Sequence, residues 1–230
     1  PVFEDIHPAY DVPSGYQVTN EESELITRTL REVHPRKMRR VGGICSSGDV
    51  ALLCLMPRAE EGVFVDHSLS SITSAFTKAV LLSRLGPKAA IDLILNKDHS
   101  QFSKLLAADI KPHLPTQLLN QAAIDNYNWP IIRREWNYSL NYRGGTNLRA
   151  LDRACRHIHK MRILHGDISD LQTHGLFDCL YVSNCEDHIG RSQTVPTLTT
   201  FAPLVREGGI LIRALNRKLV APSGWEILKD

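Results

Sequence analysis

Arg39 to Leu55 reads RRVGGICSSGDVALLCL, and the order of residue types in this stretch decides the fold class. Arg39 to Ile44 is a short β-type run, Cys45-Ser46-Ser47-Gly48 is a tight loop of small residues, and Asp49 to Leu55 is apolar and helical in pattern. A strand, a glycine-bearing turn and a helix in that order begin an α/β unit. Gly43 and Gly48 would let backbone approach a ligand closely, because neither carries a blocking side chain. The loop lacks the Lys-Ser/Thr pair of a phosphate loop and is not a G-x-G-x-x-G. Taken alone, it reads better as a plain strand-to-helix turn than as a ligand loop.

The same alternation extends in both directions. Upstream, Asn20 to Val33 places Leu25, Ile26, Leu30 and Val33 on one stripe and predicts an amphipathic helix ended by Pro35. Downstream, Gly62 to Asp66 is a strand pattern ending on an acid, and Leu69 to Leu85 is a long helix closed by Gly86-Pro87. Ala89 to Gly145 breaks the rhythm with helical segments, three prolines (Pro112, Pro115, Pro130) and the aromatic residues Tyr127, Trp129, Trp136, Tyr138 and Tyr142. It reads as a helical insertion or lid. The rhythm then resumes with a helix Asn147 to Lys160, a strand Arg162 to His165 and the turn Gly166-Asp167. Phe177 to Ser183 is a further strand, Thr197 to Leu204 is helical, and Gly208-Gly209 turns into a strand Ile210 to Leu215. Five parallel strands with right-handed crossovers make a Rossmann-like α/β sheet with flanking helices. The expected division is an N-terminal helical segment or lid, 1–38, and a Rossmann-like domain, 39–230, carrying the helical insertion 87–146.

Composition narrows the function classes. The 230 residues hold 27 Lys plus Arg against 25 Asp plus Glu, a formal charge of +2, without the basic excess of a general nucleic-acid binder. The longest apolar run, Val50 to Met56, is far short of a membrane span. Five scattered cysteines, none in a C-x-x-C pair, fit reduced thiols, and no secretory signal pattern opens the chain, so a cytoplasmic location is expected. No metal-ligand spacing is present: His157 and His159 lie two apart, and His165 and His174 flank loops, where surface or capping roles are expected.

In an open parallel sheet, ligands bind beyond the carboxyl ends of the strands. Asp66 stands there, 20 residues after Ser46. An acid at this place can accept hydrogen bonds from both hydroxyls of a ribose, or it can cap the next helix, with His67 and Ser68 sharing the role. Loop and acid together favour a nucleoside site. Asp167, after the next strand, suits an exocyclic amine of adenine with Ile168 over the ring, or an Asx-turn. Asp178 begins its strand, the wrong end for a ligand, and reads as structural.

These residues, together with FDCLYVSN (Phe177 to Asn184) and VREGGILIRALN (Val205 to Asn216), resemble the class I, Rossmann-like S-adenosylmethionine-dependent methyltransferases. More narrowly, ICSSGDVALLCL (Ile44 to Leu55) is similar to the nucleotide loop of the betaine-lipid 3-amino-3-carboxypropyl transferases, where I-C-S-x-G-D-x-x-L replaces the glycine-rich motif. That resemblance implies attack at the γ-carbon of the methionine arm and release of methylthioadenosine. It places Gly43, Ser46, Ser47 and Gly48 along the nucleoside and amino acid, and Asp66 with His67 at the ribose. Asp167 and Ile168 would meet the adenine, and Ser183 with Asn184 would lie near the arm. The chain is shorter than those lipid enzymes, so a small acceptor, or the substrate's own α-amine closing to azetidine-2-carboxylate, is expected rather than a lipid, a nucleic acid or a membrane. Aromatic faces attract a sulfonium, which makes Tyr138, Tyr142 and Asn137 of the lid, with Ser183 and Asn184, the candidate catalytic residues. A small-molecule methyltransferase and a non-catalytic S-adenosylmethionine-binding subunit are the alternatives.

Overall fold

Six strands, all parallel, form one sheet in a computed structural model that describes residues 1–6, 23–34, 36–95, 104, 108, 110–124, 144–182, 201–213, 224 and 226. The strands are β1 (Val2–Asp5), β2 (Met38–Ile44), β3 (Ala59–Asp66), β4 (Met161–His165), β5 (Phe177–Tyr181) and β6 (Val205–Ile212). Their order across the sheet is β1-β4-β3-β2-β5-β6. The central strands carry apolar residues on both sides, as Val63-Phe64-Val65 shows, because helices or turns cover both faces.

One face holds Val41, Phe64, Met161, Ile163, Cys179 and Tyr181 in the larger core, together with residues of α1 (Ser23–Val33), α2 (Leu69–Leu95) and α4 (Gly144–His157). The short helix α3 (Thr116–Ile124) adds Leu118 to this core. The other face packs Val63, Val65, Leu164 and Leu180 against Leu171, Phe201 and Leu204. The expected helix after the small-residue loop is compact: a wide π turn, Ala51–Leu55, passes into a 3-10 turn, Met56–Arg58, with Pro57 inside it. Every residue from Ala51 to Met56 is buried, as an all-apolar helical segment requires. Helix α2 breaks where the sequence predicts, at Gly86 (φ 73°, ψ 164°), and Pro87 opens its second segment. No helix among the described residues is long and apolar enough to cross a membrane.

The structure corrects the sequence reading at three places. Residues 2–5, expected within a helical N-terminal segment, form an edge strand beside β4. Four residues are too few to display a period, and tertiary contacts supply what the sequence pattern lacks. Glu4 accepts two hydrogen bonds from Arg162, at 2.7 and 2.8 Å. Phe3 meets Phe76 edge-on with ring centroids 6.4 Å apart. Strand β6 begins at Val205, not Ile210, because Arg206 to Gly209 bulge out between the pairs Phe177–Val205 and Cys179–Ile210, with Gly208 at φ +72°. His165, expected near the surface, is fully buried. Asp178 is structural, as its position suggests: one carboxylate oxygen accepts the backbone N–H groups of Arg39 and Arg40 at 2.6 and 2.9 Å, and Arg206 lies 2.8 Å from the other.

Candidate functional site at the carboxyl ends of the strands

From β2 the chain moves to β3 and β4 on one side, then returns to place β5 and β6 on the other. The strand order reverses between β2 and β5, so a crevice at their carboxyl ends is the ligand position of such a sheet. Gly43 occupies it, paired with Phe64 on one side and Tyr181 on the other. Its φ is +144°, and a Cβ there would stand 1.9 Å from the Tyr181 carbonyl oxygen. No other residue type fits this position.

The loop that follows is held in an uncommon shape. Ser46 has φ +45°, rare for a residue with a side chain, and Gly48 has φ +83° with its α-carbon turned toward α2, where a Cβ would lie 2.7 Å from that of Ala75. Three sets of contacts hold the loop. The Cys45 N–H donates to the Val65 carbonyl at 2.7 Å and the Gly48 N–H to the Cys45 carbonyl at 2.9 Å. The Asp66 carboxylate accepts from the Ser46 N–H at 2.8 Å and from the Ser68 N–H at 3.0 Å. Beneath the loop, the Lys78 ammonium donates to Asp49 Oδ1 at 2.8 Å and to the Ser47 carbonyl at 3.0 Å, while the Ser47 hydroxyl donates to Asp49 Oδ2 at 2.8 Å.

Asp66 stands at the end of β3 and organises the two loops beside it, accepting from one N–H of each. Burial raises its pKa above the usual carboxylate range, opposed by the Ser68, Ser46 and His67 N–H groups and by the His67 side chain. A carboxylate has about four acceptor positions, so the N–H groups of Ser46, Ser68 and His67 leave capacity for a ligand hydroxyl. The Gly166 N–H donates to the Asp66 carbonyl at 2.9 Å and joins the end of β4 to this site.

Asp167, exposed just past β4, caps the 3-10 turn Ile168–His174: its Oδ1 accepts from the Ser169 N–H at 2.9 Å, and Asp170 accepts from the Asp167 N–H at 2.7 Å. Ile168 is half-buried against the smaller core and His67 is half-buried beside Asp66. The structure thus brings Gly43, Ser46, Ser47, Gly48, Asp66, His67, Asp167 and Ile168 to one edge of the sheet. Ser183, Asn184, Asn137, Tyr138 and Tyr142 lie outside the described residues. The Cys45 thiol, in the same loop, is held protonated by burial and by the nearby Asp66 charge, which removes it as a nucleophile.

Sequence reasoning gave no role of its own to Asp49 or Lys78, and expected a surface or capping role for His165. Lys78 had a signal: it interrupts the stripe Ala75, Ala79, Leu82 of an otherwise core-facing helix, a place where an unpaired ammonium would be costly. His165 ends β4, bonds Asp5 through Nδ1 at 2.8 Å, and leaves a buried Nε2 without a partner among the described residues. Among the described residues no three metal-ligating side chains converge. An open groove of about 600 Å³ lies elsewhere, along Lys88, Arg149, Arg153 and Arg156, and none of the candidate residues line it.

No family model matches the chain, and no curated protein matches it. Among solved structures it is similar to the rRNA methyltransferase aviRa from Streptomyces viridochromogenes, at 14% identity and a TM-score of 0.51, over 94% of this chain and 83% of that one. A second structure of the same methyltransferase aligns at 13% identity and a TM-score of 0.49, over 97% of this chain and 88% of the other. With its six parallel strands in the order found above, the chain has the Rossmann-like fold of the class I methyltransferases.

Proposed function

We propose that the chain binds S-adenosylmethionine across the carboxyl ends of β2, β3 and β4 and uses its 3-amino-3-carboxypropyl arm. The observation that carries the binding site in this reading is the junction of the Ile44 to Asp49 loop with Asp66, a 2.8 Å hydrogen bond beside the reversal of strand order between β2 and β5. In this reading Asp66 and His67 face the ribose, Asp167 and Ile168 the adenine, and Ser46 to Gly48 the amino-acid end. The edge also suits a cationic ligand, because the carboxylates of Asp66 and Asp167 stand on it.

The substrate supplies a sulfonium, whose carbons are open to attack. In the arm-transfer reading an amine nitrogen bonds to the γ-carbon, the carbon–sulfur bond breaks, the electron pair stays on sulfur, and neutral methylthioadenosine leaves. The amine loses one proton. A small external acceptor or the substrate's own α-amine fills the role, the latter giving azetidine-2-carboxylate. The protein's work is to hold the arm folded in line and keep water away. Asn137, Tyr138, Tyr142, Ser183 and Asn184 are the proposed residues around the reacting carbon.

Methyl transfer is the second reading, favoured by the fold shared with a methyltransferase. Incubation of the purified chain with S-adenosylmethionine, followed by mass spectrometry, separates the two. Methylthioadenosine is the expected product, and accumulation of S-adenosylhomocysteine instead would overturn arm transfer.

A further inference from the structure

We propose that Lys78 is a positioning residue for the candidate ligand loop, an inference whose ligand arm rests on the reading above. Its ammonium, contributed by α2, ties the Ser47 carbonyl at 3.0 Å and Asp49 at 2.8 Å, and Asp49 in turn takes the Ser47 hydroxyl at 2.8 Å. Lys78 is 3% exposed, Asp49 1% and Ser47 0%, so the whole arrangement is out of water.

Stability alone does not explain such a set. A buried ion pair recovers its desolvation cost only with good geometry, and well-packed apolar residues commonly replace it at no loss. An apolar pair could not, however, donate to the Ser47 carbonyl. That carbonyl belongs to Ser47, flanked by Gly48 at φ +83° and by Ser46 at φ +45°, and the latter is a shape that persists in a residue with a side chain only where its surroundings over-determine it. Asp66 holds the Ser46 end of the turn from above and Lys78 holds the Ser47 end from below. Because Asp66 ends β3 and Lys78 lies on the helix that follows, the lock joins the loop of β2 to the β3–α2 unit. The loop is thereby held in one shape before a ligand arrives, which lowers the ordering cost of binding.

The test compares the wild type with Lys78→Met/Asp49→Asn, which removes the pair and the donor to Ser47. It reads amide hydrogen exchange at Ser46 and Gly48 together with S-adenosylmethionine affinity. The expected result is exchange at both amides faster by about tenfold or more, unchanged exchange in β3, and affinity weaker by about tenfold or more. Unchanged exchange at Ser46 and Gly48 in the folded variant overturns the lock, whether or not the wild type binds S-adenosylmethionine. Faster exchange with unchanged affinity overturns its role in binding. A wild type that does not bind this probe refutes the proposed function separately, while the exchange result still decides the lock. Should the Met variant fail to fold, Lys78→Gln/Asp49→Asn keeps a neutral donor for the Ser47 carbonyl. It is expected to hold both readouts within about threefold of wild type, and loss of either overturns the proposal.

Discussion

Gly43 carries more of the architecture than any other residue of the candidate site. A Cβ at this position would stand 1.9 Å from the Tyr181 carbonyl oxygen, and φ +144° is itself disfavoured for any other residue. Gly43→Ala must therefore push β5 away from β2 or flip the peptide, and more than about 3 kcal/mol of stability should be lost in urea unfolding. A loss below about 1 kcal/mol would show that the two strands are not held as described. At this scale the sequence is legible where a residue type is the whole message. Glycine at 43 and 48 and the acid at 66 announce a tight turn and a strand end. It is not legible where the message lies in pairing. Nothing in Ser47, Asp49 or Lys78 taken singly says that the three side chains meet under the loop, 29 residues apart for Asp49 and Lys78.

Among the elements, β1 shows best why sequence pattern alone falls short. Val2–Asp5 is read as strand only because β4 offers it an edge, and Glu4 and Arg162 fasten it with two hydrogen bonds. The Arg162 hydrogen bonds, more than its charge alone, lower the Glu4 pKa below the usual carboxylate range, against a smaller opposing effect of burial. A carboxyl whose folded pKa is depressed contributes stability that is present above its unfolded pKa and is lost as pH falls through the folded value. The attachment of β1 should accordingly weaken below about pH 4.5. Both side chains are more than a third exposed, so the contribution stays at or below about 1 kcal/mol. Hydrogen exchange of residues 3–5 followed against pH checks this. Glu4→Gln should remove the pH dependence, and an unaltered dependence in that variant would assign it to another group. By contrast, β2, β3, β4 and β5 are readable from sequence, because the part of a strand buried on both faces is apolar, as Val63-Phe64-Val65 and Ile163-Leu164 are.

For the whole molecule, alternation of strand and helix sufficed for the fold class, and it pointed to the strand ends as the candidate site. It did not supply the sixth strand, the bulge in β6 or the buried Lys78, each of which is a tertiary event. The near balance of 27 basic and 25 acidic residues likewise says nothing about local charge: Lys88, Arg149, Arg153 and Arg156 line one groove with Asp152 among them, while Asp66 and Asp167 stand at the strand ends. The central claim is that those strand ends are a site for S-adenosylmethionine with Asp66 at its heart. Calorimetric titration of the whole chain, wild type and Asp66→Asn, tests it most directly. One saturable site is predicted in the wild type, with affinity weaker by about tenfold or more in the variant, since a charged acceptor is replaced by a neutral amide. Absence of saturable binding in the wild type, or equal affinity in the two proteins, would contradict it.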